Sequence, residues 1–326
     1  MKTLPLHLAL LEKEAVDYVV VPAARYLFDF IVREPIRFPE YAGSSIRGAF
    51  GHALRRTACM THQADCKHCP LYRSCAYTAV FETPPPETHE LQNFSQIPNA
   101  YVIEPPHWGS RTFESGEHLI FSLVLYGRAR LHLALVIYAL QRAFARDVGH
   151  GKADLVSVTL SKNENEQLLV YTPEERCVRN HENDTVLPIP NPSPLTLKIE
   201  TPLRLQQNGV PLGPERISAH ALLMTLLRRI ALLEEFQNGN KLTIDFSVLS
   251  AEASSLHMET DLGWKDWTRF SSRQNQKMSL GGVIGSIKFA ELSLTARILV
   301  SVGQLTHFGK NATFGLGKYV IQSTAG

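Results

Sequence analysis

The sequence predicts an α+β protein made of two copies of one unit, each running strand, helix, strand, strand, helix, strand. Three observations carry this. Short alternating or apolar segments and amphipathic runs recur in the same order in both halves of the chain. The nine residues VLPIPNPSP at 186–194 hold four prolines and break the pattern between the halves. The length of 326 residues, 44% of them hydrophobic and 20% charged, suits two globular domains of ordinary size.

In the first half, residues 24–34 (ARYLFDFIVRE) alternate and are rich in aromatic and β-branched side chains, as a half-buried strand is. Ser44 or Ser45 then caps the amphipathic run SIRGAFGHALRRTA, read as a helix. Strands are expected at 100–104 and 117–126, a helix from 131 to 146, and short strands near 155–160 and 167–171. In the second half the same signals give a strand at 195–205, a long helix at 217–237, strands at 241–251 and 281–289, a helix at 291–303 and a last strand at 316–322. This is the ferredoxin-like (RRM-like) order twice over, with a first domain at 1–185, a proline-rich linker at 186–194 and a second domain at 195–326.

Four of the five cysteines, Cys59, Cys66, Cys69 and Cys75, lie in one polar run, CMTHQADCKHCPLYRSC. The C-x-x-C pair Cys66/Cys69 is the spacing that grips a metal ion from a tight turn, and Cys59 and Cys75 complete a tetrahedral thiolate set. The expectation is a cysteine-rich insertion in the first domain with a structural zinc or similar metal. His62 or His68 is an alternative to one sulfur, and reduced surface thiols are the alternative to a metal. Cys177 stands alone.

No secretory signal is expected, because Glu12, Lys13 and Glu14 interrupt the apolar start, and no stretch is long enough to span a bilayer. A cytoplasmic protein with no membrane partner follows as the expectation. The net charge of +2 does not by itself demand nucleic acid, but its distribution is uneven. From Asp261 to Gly326 eight Lys and Arg face three acidic residues, which suits a polyanionic partner.

That basic end contains the run THFGKNATFGLGKY at 306–319. Gly309, Gly315 and Gly317 let backbone approach an anion where a Cβ would obstruct, and Lys310 adds charge. Phe308 and Phe314 either stack on bases or anchor the loop in the core. No Gly-Lys-Ser/Thr opens a helix here, so this is not a Walker loop.

Four stretches resemble the CRISPR-associated endoribonucleases of the RAMP superfamily, which cut precursor CRISPR RNA within its repeats: GSSIRGAFGHALRR (43–56), CAYTAVFE (75–82) with the cysteine run before it, DWTRFSSRQNQKMSLGGVIGSI (266–287), and THFGKNATFGLGKY (306–319). The resemblance implies two ferredoxin-like domains side by side, RNA along or between them, and a glycine-rich loop that touches the RNA. It also implies cleavage without a catalytic metal, leaving a 2′,3′-cyclic phosphate and a 5′-hydroxyl. Other CRISPR-associated effector subunits are candidate partners.

Such cleavage needs a base for the ribose 2′-OH, an acid for the departing 5′-oxygen and cations for the developing charge. Histidine suits the proton transfers as a residue type. The family commonly places its catalytic histidine in or near the first helix, where His52 stands with Arg47, Arg55 and Arg56. On a helix, Arg55 and Arg56 share its face at i+3 and i+4, while Arg47 lies further round. A buried structural histidine is the alternative. Tyr41 is a second candidate by the same resemblance, and His307 with Lys310 forms a competing site. Arg269, Arg273 and Lys277 lie in a polar stretch like the family's RNA-facing hairpin and are expected to touch the RNA backbone. Three readings follow: a repeat-cleaving endoribonuclease, a non-catalytic RNA-holding subunit of an effector complex, and a metal-stabilised protein-interaction module.

Overall fold

A computed structural model describes all residues except 13, 89–96, 107–108, 164–165, 193, 272–275 and 324–326. The chain forms two compact units, Pro22–Thr185 with Leu232–Gly239, and Met1–Val21 with Val186–Ala231 and Asn240–Gly326.

The unit built on Pro22–Thr185 carries strands β1 (Ala23–Glu34), β2 (Tyr101–Glu104), β3 (His118–Tyr126), β4 (Lys152–Ser161) and β5 (Gln167–Tyr171). They form one sheet in the order β2-β3-β1-β4-β5 with antiparallel neighbours. Its first four strands have the ferredoxin-like arrangement, and β5 extends the edge. Along β1 the side chains of Tyr26, Phe28 and Phe30 are fully buried, while Arg25, Leu27 and Asp29 between them are half exposed. That is the alternation a one-faced sheet requires. Helices α1 (Gly43–Ala58) and α3 (Leu133–Arg146) pack together, and the short α2 (Ala76–Phe81) lies beside α1. Phe30 stacks on Phe144 of α3 with ring centroids 4.3 Å apart, and Phe28 and Phe121 continue the aromatic core.

Gly51 lets α1 approach α2. A Cβ there would lie 2.3 Å from the Phe81 ring, which is itself stacked on Tyr101 and Tyr77 and so has little room to yield. Gly51→Ala is expected to cost about 1–3 kcal/mol by overpacking, read as a lower denaturation midpoint; unchanged stability would show that the ring moves freely.

The other unit repeats the order. Strands β6 (Leu195–Leu203), β7 (Met258–Lys265), β8 (Gly282–Phe289) and β9 (Tyr319–Ser323) form an antiparallel sheet ordered β7-β8-β6-β9, with helices α4 (Ala219–Leu233), α5 (Phe246–Ser255) and α6 (Leu294–Thr306). Leu222, Leu223, Leu226 and Leu227 of α4 and Ile298, Leu299 and Val302 of α6 form its core. A short antiparallel hairpin, Thr268–Ser271 with Gln276–Ser279, lies between β7 and β8 in sequence.

The tandem α+β fold is as expected, but three details differ. The strand expected at 241–251 is the start of α5: Asp245 caps it by accepting from the amides of Ser247 and Val248, and Leu249 and Ala253 are buried one turn apart. The pairing strand is β7, further on. The proline-rich run at 186–194 begins as a strand, Thr185–Pro188, and is held down by Ser301 donating to the Pro188 carbonyl and Arg297 to that of Pro190 at 2.7 Å. Residues 1–21 group with the second unit rather than the first. Thr3–Pro5 pairs with Tyr18–Val21, and Ile189 donates to the Asp17 carbonyl at 2.9 Å. Among the described residues no helix is long and apolar enough to cross a membrane.

Candidate nucleic-acid interface

Helix α1 buries Ile46, Phe50 and Leu54 and turns the opposite face outward. His52 and Arg56, one turn apart, are both exposed on it. Above them Gly48 leaves open space where a side chain would stand. The other two arginines predicted around His52 have different partners. Arg47 is half-buried, donates from Nε to the Tyr101 hydroxyl at 3.0 Å and lies 4.6 Å above the Phe81 ring centroid. Arg55 donates to the carbonyls of Gln63 and Ala64 at 2.6 and 2.8 Å, fixing the cysteine run.

Tyr41 is 1% exposed, and burial together with the nearby Glu104 carboxylate holds its hydroxyl far above the usual phenol range. Glu104 is itself nearly buried and paired with Arg25, Nε to Oε2 at 2.9 Å and Nη2 to Oε1 at 3.0 Å. The Tyr41 hydroxyl stays protonated inside the unit, not at its surface.

The glycine-rich loop is a packed corner. His307 caps the end of α6 fully buried, with φ 51°, so its ring faces the interior. Phe308 meets Tyr319 edge-on at 5.3 Å and Phe314 meets Trp267 at 6.3 Å, both phenylalanines buried; they anchor the loop. The amides of Lys310, Gly315 and Gly317 donate to Arg204, Ala312 and Pro202 at 2.9, 2.9 and 3.1 Å. Gly309, Gly315 and Gly317 all have positive φ. A Cβ at Gly317 would lie 1.9 Å from the Phe308 carbonyl oxygen. The glycines thus serve the close approach of the loop to its own backbone, and of the three expected to approach an anion, Gly315 and Gly317 donate their amides to protein carbonyls. Lys310 is the exposed cation of this corner, while Lys318 pairs with Glu200 at 3.2 Å.

In the hairpin, Arg269 is opposite Met278 and Lys277 opposite Phe270; Arg273 lies outside the described residues. Sequence reading missed Trp264 on β7. It is 39% exposed, its indole N–H donates to Asp266 at 2.7 Å, and Gly281 gives the ring room, since a Cβ there would lie 2.8 Å from it. The misplaced strand at 241–251 hid it, because only the true register brings this tryptophan beside the base of the hairpin.

Cys59, Cys66, Cys69 and Cys75 are half-buried, belong to no disulfide and line one cavity with Arg55, Leu71 and Tyr72. Burial pushes the Cys66 thiol up, and the neighbouring Arg55 opposes this. His62 and His68 are exposed, and His68 Nδ1 pairs with Asp65 at 2.7 Å. As the side chains stand, no three Cys, His, Asp or Glu among the described residues are gathered closely enough to hold an ion.

Comparison with known proteins agrees with this architecture. A family model described as an N-terminal domain matches residues 21–183, half of the chain. The model of the CRISPR-associated endoribonuclease Cas6 matches residues 197–319. An uncharacterised protein of Archaeoglobus fulgidus is 23% identical over 297 residues, covering 87% of this chain and 93% of its own. A solved Cas6 product complex aligns over 93% of this chain and 100% of its own with TM-score 0.53 and 14% identity. Thermus thermophilus Cas6 aligns over 93% and 99% with TM-score 0.50 and 12% identity. The N-terminal-domain match takes in the sheet of the first ferredoxin-like unit, and the Cas6 match takes in the glycine-rich corner and most of the second unit, so this part of the chain is similar to the CRISPR-associated endoribonuclease Cas6.

Proposed function

We propose that the protein is an endoribonuclease that cleaves CRISPR repeat RNA by attack of a ribose 2′-OH on the adjacent phosphate, without a catalytic metal, leaving a 2′,3′-cyclic phosphate and a 5′-hydroxyl. The observation that carries the reading is the exposed pair His52 and Arg56 on α1, beside the open space over Gly48. His52 is the proton-transfer group, and Arg56 holds the phosphate as charge develops on it. Tyr41 and His307 are buried and act through the fold. Arg47 and Arg55 shape the surface that presents His52, and in this reading they leave the phosphate to Arg56.

RNA is held through Lys310, Arg269, Arg273 and Lys277 as backbone contacts. Trp264, on the strand that leads into the hairpin, adds a stacking surface. Trp264→Ala is expected to weaken binding of single-stranded repeat RNA by about 1–3 kcal/mol, the range for one stacked base, in a filter-binding titration at fixed salt. Retention of full affinity would remove Trp264 from the interface.

One similar solved structure is a Cas6-RT-Cas1–Cas2 complex, and this chain aligns to 29% of that longer chain. By analogy, assembly with other CRISPR-associated subunits belongs to this reading. The test is incubation of the purified protein with its repeat RNA in EDTA, beside a substrate carrying a deoxy sugar at the cut position. Cleavage that survives EDTA and stops with the deoxy sugar is expected. Tight, salt-sensitive binding with no cleavage of any repeat would overturn the nuclease reading and leave an RNA-holding subunit.

A further inference from the structure

The run from Cys59 to Cys75 contains no buried residue. The side chains turned partly inward are Thr61, Leu71, Tyr72 and the four cysteines. Its backbone is nonetheless specified. Asp65 accepts from the amide of Lys67, Cys69 donates to the Cys66 carbonyl at 3.0 Å, and Cys75 donates to that of Leu71 at 2.8 Å. Arg55 clamps Gln63 and Ala64 from α1. Fixing each residue costs about 1–2 kcal/mol of backbone entropy, and no apolar core under this run offsets it. A cross-link does so for small loops without a core.

The cavity supplies the parts of one. All four cysteines line the same cavity, none is in a disulfide, and Arg55 lines it too. A tetrathiolate site with a divalent ion carries two negative charges, which a neighbouring guanidinium offsets. As they stand, no three of these thiols are gathered closely enough to hold an ion. Each turns on a single χ1 bond, and Cys69 would exchange its 3.2 Å contact with the Thr61 hydroxyl for the ion. Neither His62 nor His68 lines the cavity, and Cys177 is exposed in a separate stretch.

We propose that Cys59, Cys66, Cys69 and Cys75 together bind one zinc ion, a structural cross-link with no open coordination position. The site stands apart from the RNA chemistry and does not depend on it. The test is metal analysis of the purified full-length chain after gel filtration, with about one zinc per chain expected. Cys66→Ser with Cys69→Ser is expected to lower this to below about a tenth, whereas Cys177→Ser keeps it. Because the double variant is open to misfolding, two measurements use the wild type. Cobalt reconstitution should give a thiolate-to-cobalt charge-transfer band with the intense visible bands of a tetrahedral site. Removing the metal with a chelator should speed tryptic cleavage at Lys67 and Arg73 by about tenfold or more, with cuts elsewhere unchanged. A metal-free wild type with free thiols and chelator-insensitive proteolysis would overturn the proposal. So would iron with acid-labile sulfide, or two disulfides.

Discussion

His52→Ala is expected to abolish cleavage of the repeat RNA while leaving its affinity within about threefold, because the proposed mechanism gives His52 a part in proton transfer and none in the electrostatic grip. Removing a positioned acid or base typically slows a reaction by about 10²–10⁴-fold. The measurement is single-turnover cleavage with enzyme in excess, paired with filter binding of the deoxy substrate. Arg56→Ala should slow the same step and also weaken binding, since it acts on the phosphate in both states. The two variants together separate a catalytic face from a binding face. His52→Ala at wild-type rate would move the chemistry off α1 altogether. Tyr41→Phe is the contrasting case. Its hydroxyl is buried beside Glu104 and protonated, so loss of the oxygen should appear as lost stability without a change in the pH profile of cleavage.

Gly317→Ala is expected to destabilise the C-terminal ferredoxin-like unit by about 3 kcal/mol. Roughly 1–2 kcal/mol comes from placing an L-residue in the left-handed region, and about 1–3 from the contact with the Phe308 carbonyl. The contact is with backbone, which is fixed by the packing of Phe308 on Tyr319 and cannot turn away as a side chain does. Denaturant unfolding should show the loss in the midpoint, and RNA affinity should fall with it, since the corner that presents Lys310 no longer closes. Lys310→Ala is the counterpart. It should leave stability within about 0.5 kcal/mol and lower the salt dependence of binding by about 0.7, one phosphate contact on a single strand. If Gly317→Ala keeps its stability yet loses RNA, the loop's role is direct contact with the ligand, and the packed-corner account fails.

Much of this was legible without coordinates where the signal is local. The alternation of Tyr26, Phe28 and Phe30 marked β1, and the amphipathic run ending at Ala58 marked α1, although the helix begins at Gly43 with Ala42 at its N-cap and neither Ser44 nor Ser45 caps it. The glycines at 309, 315 and 317 marked a loop of unusual backbone. The segment at 241–251 failed for a local reason as well. KLTIDF alternates like a strand, but Asp245 is positioned to cap the amides after it, and capping prevailed over alternation.

The sequence by itself determined the tandem order of elements and the set of residues with suitable chemistry, because these depend on period, spacing and residue type. Only the tertiary structure decided which of those residues face outward. Arg47 and Arg55 are drawn away from His52 by Tyr101, Phe81 and the carbonyls of Gln63 and Ala64; His307 and Tyr41 are enclosed by packing; Trp264 is brought out beside the hairpin. The physical reason is the same in each case. Burial and hydrogen-bond partnership are set by groups distant in the chain, and a single helical or strand period carries no record of them.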